Sequence, residues 1–174
     1  MRLTALLAAP RLAMPGLAAL FLAAATPASA ETRFFSYDPA DRLTRALTGG
    51  LTFQVDLGLF GRTTLRRIYS TSRTGYADVR SGGPAEVRRT LGPEAAETSV
   101  YAIRPEGQGR PLGRALCPGS DEAWLVFAPI RAARPVTARA VGRWSDGRFR
   151  ECAQLSWTFR GEWSALPAAP MTEP

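Results

Sequence analysis

The chain has 174 residues, with 22 basic and 15 acidic side chains, no histidine and a formal net charge of +7. Every basic residue is arginine, lysine and asparagine are absent and isoleucine occurs three times, so the arginine content reads as codon drift in a GC-rich bacterial genome more than selection for anions. Without His or Lys there is no Ser-His-Asp, Cys-His or Ser-Lys machinery, no Schiff base and no P-loop lysine, and two cysteines without imidazole make a poor zinc site.

Residues 1–30 read as a secretory signal. Arg2 and Arg11 form the n-region, Leu17 to Ala25 is an unbroken apolar run, and Ala28-Ser29-Ala30 is an A-x-A site that would leave Glu31 as the mature N-terminus. The rival reading is an uncleaved anchor, which needs about 20 apolar residues. Pro15, Gly16, Thr26, Pro27 and Ser29 interrupt both ends, which favours cleavage. The expectation is therefore an exported protein, periplasmic or extracellular, with no membrane span after processing. Losing Arg2 and Arg11 leaves 20 arginines against 15 acids, a net +5. In an oxidising compartment Cys117 and Cys152 should form one disulfide, worth roughly 4 kcal/mol by loop entropy.

The mature chain reads as a single α+β domain over residues 31–163, followed by a Pro- and Ala-rich tail over 164–174 with the composition of a disordered segment. Arg33 to Tyr37 is a short strand. Asp38 then caps a helix with Pro39 at its first position and Leu43 and Leu47 on one face, ended by Gly49-Gly50. Leu51 to Leu57 alternates strictly, with Leu51, Phe53, Val55 and Leu57 inward. Thr64 to Ser72 pairs back, and Tyr76 to Val79 continues the sheet. A second short helix follows Ser81-Gly82-Gly83-Pro84, with Val87 and Leu91 on one face. Ser99 to Ile103 is a strand, Glu106 to Gly109 a loop with no helix after it, and Ala115 to Cys117 the end of another strand. Ala123 to Ala128 is apolar on both faces, the pattern of a strand covered on both sides. The total is a mainly antiparallel sheet of six to eight strands with two short helices.

Val136–Trp144 and Arg148–Trp163 flank Asp146-Gly147, a strong hairpin signal. A two-residue turn there sets Trp144 opposite Phe149, Ala140 opposite Ala153, Ala138 opposite Leu155 and Val136 opposite Trp157 on the core face. On the other face it sets Arg143 against Arg150 and Val141 against Cys152, and a bulge near Gly142 would shift one end. Opposed arginines repel unless an anion lies between them, so Arg139, Arg143, Arg148 and Arg150 form a candidate anion site. The same register turns Glu151 toward the core, where burial would suit it to general acid work. The four tryptophans read as core rather than as a sugar-stacking platform, Trp144 and Trp157 having core partners, and Trp163, at the strand end, is the one to test.

The expectation is a non-enzymatic, envelope-associated binding or structural module. Its partner would be an anionic envelope component or acidic protein rather than nucleic acid, and no metal or cofactor is called for. The alternative is a carboxylate-dependent hydrolase of envelope polymer. Oligomeric state is not encoded in any pattern of this chain.

Overall fold

The computed structural model describes residues 31–58, 63–70 and 75–164. Residues 1–30, expected to be a signal segment with Ala28 and Ala30 at its cleavage site, and residues 165–174 lie outside them; Glu31 is the first residue of the first described strand. The described residues form eight strands and three helices. In chain order these are β1 (Glu31–Pro39), α1 (Arg42–Thr48), β2 (Leu51–Leu57), β3 (Thr63–Ser70), β4 (Tyr76–Ser81) and α2 (Ala85–Thr90). They continue with β5 (Ser99–Ile103), α3 (Gly109–Leu116), β6 (Glu122–Phe127), β7 (Val136–Arg143) and β8 (Phe149–Ser164). Each strand pairs antiparallel with the next and β8 pairs with β1, so the sheet is a closed barrel. Closure leaves no sheet edge to cover, which a sequence this rich in short alternating strands achieves without a second layer.

The barrel interior is filled with side chains. Phe35, Tyr37, Phe53, Phe127, Leu155 and Trp157 are buried there, and Phe53 meets the Phe127 ring edge-on at 5.3 Å between centroids. An eight-stranded barrel is narrow enough for side chains such as these to fill. Each of these large side chains contributes about 1.5–3 kcal/mol by burial. β6 fits its two-sided apolar pattern: Ala123, Leu125 and Phe127 join the interior, while Trp124 and Val126 lie outside under α2, against Val87 and Leu91.

Several expectations need correction. β1 runs through Asp38 and Pro39, and the N-cap of α1 is Asp41. Asp41 accepts from the Thr44 backbone N–H at 2.8 Å, the Thr44 hydroxyl at 2.7 Å and the Ser156 hydroxyl at 2.6 Å. Those hydrogen bonds, led by the one from Ser156, stabilise the ionised form and hold the carboxyl at about 2, below its ordinary 3.8. α1 therefore fully buries Thr44 and Thr48, while of the two expected leucines Leu47 is half-buried against the core and Leu43 is 49% exposed. The reason lies in β8, which passes from β7 to β1 at Trp157, leaving a polar corner that the α1 threonines fill. There the Trp157 indole N–H donates to the Thr48 hydroxyl at 3.3 Å.

A third helix, α3, occupies residues expected as a loop and a strand end. Pro111 sits in its first turn, where a missing N–H costs nothing, and Leu112 and Leu116, four apart, point into the core. Its C-cap Cys117 is bonded to Cys152, so the expected disulfide is present.

The hairpin turn is also one residue longer than expected. Trp144 N–H bonds the Arg148 carbonyl at 3.1 Å and Gly147 N–H bonds the Trp144 carbonyl at 2.9 Å, closing a loop of Ser145, Asp146 and Gly147. Gly147 takes φ +74°, the left-handed position that such loops reserve for glycine. The added residue sets Arg143 opposite Phe149 and Gly142 opposite Arg150. A bulge at Cys152 then restores the expected pairs from Ala140–Ala153 to Val136–Trp157. The two irregularities cancel, which is why the far half of the hairpin keeps the register inferred from its hydrophobic pattern.

Candidate functional site

The four hairpin arginines do not converge on empty space. Arg139 spans two carboxylates: its Nε is 3.2 Å from Glu97, and its Nη1 is 3.2 Å from Glu151. Arg143 pairs with Glu122 at 3.0 Å. Arg150 pairs with Asp146 at 2.6 Å and lies over the Trp144 ring at 4.9 Å. Arg148 is exposed; its backbone is held, the N–H by Asp146 at 2.9 Å, and its side chain has no ion pair among the described residues. The repulsion inferred between Arg143 and Arg150 is absent because the longer turn separates them.

Glu151 points outward, opposite Val141, and is exposed beside Arg139, so the expected core-facing carboxylate is not there. The buried acid is Glu97, 5% exposed, which accepts from the Thr137 hydroxyl at 2.6 Å and from Arg139. This pins the segment after α2 onto β7. Cys152 turns inward at its bulge and packs with the barrel core, so the disulfide leaves the arginine face uncovered.

The concave feature lies elsewhere, in the sector sequence reasoning passed over. A groove of about 690 Å³ runs between the segment leading into α2 and the α3 helix, over the outer ends of β4, β5 and β6. Its lining includes the apolar Ala102, Ile103, Ala123 and Trp124 and the arginines Arg80, Arg104, Arg110 and Arg114. Asp121 and Glu122 stand at the β6 end, and Glu122 is drawn to Arg143. Arg104 is 3.7 Å from Glu106. Arg80, Arg110 and Arg114 are exposed and carry no ion pair among the described residues.

The groove exists because α3 seats so closely on the barrel. A Cβ at Gly109 would fall 1.6 Å from the Arg104 carbonyl oxygen, so only glycine lets the helix start there. Arg110 and Arg114, four apart on that helix, share the face opposite Leu112 and Leu116. That i, i+4 pairing was legible in the sequence once the helix was granted. Chemically, the exposed arginines offer planar donors along the groove, which suit carboxylate, phosphate or sulfate groups. Among the described residues, no cluster of three Cys, Asp or Glu side chains forms a metal site.

Comparison with protein-family models, with curated proteins and with solved structures gave no match.

Proposed function

We propose that this protein is a non-enzymatic, exported binding module that holds an anionic envelope component or acidic protein in the α3 groove. One observation carries the reading: Arg80, Arg110 and Arg114, exposed and in no ion pair among the described residues, line one groove in which arginines outnumber carboxylates. The barrel interior supports it, because the large side chains packed there favour a ligand met on the outer surface. The disulfide is compatible with the oxidising compartment that the N-terminal segment implies. The anion site inferred from the hairpin arginines moves to this groove, since Arg139, Arg143 and Arg150 already hold carboxylates.

Retention on immobilised dextran sulfate tests this. The wild-type protein should elute at a salt concentration that falls clearly when Arg110→Gln and Arg114→Gln are combined, because bound arginines displace counterions from a polyanion. The Arg143→Gln, Arg150→Gln variant should elute with wild type. Equal elution of the groove variant and wild type would sink the proposal.

A further inference from the structure

The side of the barrel formed by β8, β1, β2, β3 and β4 carries aromatic side chains on its outer surface. Phe34 lies opposite Trp163 on one side and Gln54 on the other, and Gln54 lies opposite Arg67. In the neighbouring row Thr52, Tyr69 and Tyr76 stand side by side. The rings form a continuous series: Trp163 is nearly parallel to Phe34 at 6.0 Å, Phe34 is 6.3 Å from Tyr69, and Tyr69 is 6.0 Å from Tyr76. Trp163 is the most open at 48% exposed; Tyr76 is 43% exposed, but the Arg67 guanidinium lies over its ring at 4.4 Å, so one of its faces is already covered. Alternation explains the placement: Phe35, Phe53 and Ile68 point into the barrel, so their neighbours Phe34, Gln54 and Tyr69 must point out.

We infer that this aromatic face is a stacking surface for an uncharged glycan. Charge decides against an ionic partner. Arg33 is matched by Glu31 and Glu162, Arg67 by Asp78, and Arg66 by Asp56, so the charged groups around the rings are already paired. An ion would have to break one of those pairs. Area decides against a protein partner, which typically needs about 800 Å² on each side. Beyond Trp163 and Tyr76, the only large apolar side chain well exposed among the described residues is Leu43, on α1. A sugar ring needs less: its C–H face meets the negative face of an aromatic ring, and its hydroxyls need neutral donors and acceptors. Gln54 accepts from the Tyr69 hydroxyl at 3.1 Å and keeps its amide N–H groups for such contacts, and the Ser36 and Thr52 hydroxyls lie 3.3 Å apart beside it. The surface and the α3 groove meet at β4, which carries Tyr76 at one end and Arg80 toward the other, but their ligand chemistry is different.

Affinity electrophoresis through gels containing dextran, soluble β-glucan or xyloglucan tests the inference. At least one of these neutral polysaccharides should retard the wild-type protein. Trp163→Ala should weaken that retardation at least tenfold and Tyr76→Ala severalfold, with unchanged melting temperatures because both side chains are surface groups. The Arg110→Gln, Arg114→Gln variant should still be retarded, which separates this surface from the groove. Free migration of the wild type in all three gels would overturn the inference, as would equal retardation of the Trp163→Ala variant. A dimeric mass in solution that Trp163→Ala converts to monomer would also overturn it, by assigning the face to self-association.

Discussion

The β7–β8 hairpin and the α3 groove are both rich in arginine, yet they differ in what surrounds each guanidinium. On the hairpin, Arg139, Arg143 and Arg150 each meet a carboxylate, drawn from β8, β6, the turn and the segment after α2. In the groove, Arg80, Arg110 and Arg114 have none among the described residues. Clustered arginines in a strand therefore do not identify a ligand site. Such a site needs charge left uncompensated by the fold and a concave surface that concentrates it.

The strongest way to break this contrast is through the bond that joins the two regions. Cys117 ends α3 and Cys152 is the hairpin bulge. Replacing both by Ser should lower unfolding free energy by about 4 kcal/mol in urea titrations. Retention on dextran sulfate should fall as well, because α3 loses its anchor. Unaltered retention with lost stability would mean that the groove does not depend on the staple.

Glu97→Ala makes the hairpin resemble the groove. The change strips Arg139 and Thr137 of a buried acceptor and should cost about 2 kcal/mol. It should also raise the salt needed to elute the protein from dextran sulfate, since Arg139 would keep only Glu151. A variant with lower stability and unchanged elution would show that concavity matters more than free charge.

The smallest effect concerns Asp41, a carboxylate held by hydroxyl and amide donors instead of arginine. Asp41→Ala should cost about 1 kcal/mol at neutral pH, allowing for its partial exposure to solvent. Its folded-state value of about 2 lies below the ordinary 3.8, so the stabilisation is complete above about pH 4 and is lost as pH falls toward 2. Chemical denaturation at pH 7, 4 and 2 should show the gap between wild type and variant narrowing at the acid end. A gap independent of pH would assign the effect to capping geometry rather than charge.

Local pattern was enough for much of the fold. Strict alternation places Leu51, Phe53 and Val55 inward, and the two-sided apolar run of β6 foretells cover on both faces. The same signal failed at α3, where Gly109, Pro111 and Gly113 mask an eight-residue helix whose apolar spacing rests on Leu112 and Leu116 alone. It failed again at the hairpin, where Asp-Gly fits a two-residue turn as well as a three-residue loop, and only packing chose between them. Of the candidate sites, Trp163 could be singled out as a strand-end tryptophan, but its continuity with Phe34, Tyr69 and Tyr76 requires five strands to be placed side by side.

What the chain determines by itself is local. It sets which side chains alternate, where glycine and proline end elements, that His and Lys chemistry is excluded, and that two cysteines are available to pair. Tertiary structure decided the closure of the sheet, the partners of each arginine and the position of the groove. Those depend on residues tens of positions apart, such as Arg139 with Glu97 or Cys117 with Cys152, brought together only when eight strands close into one barrel.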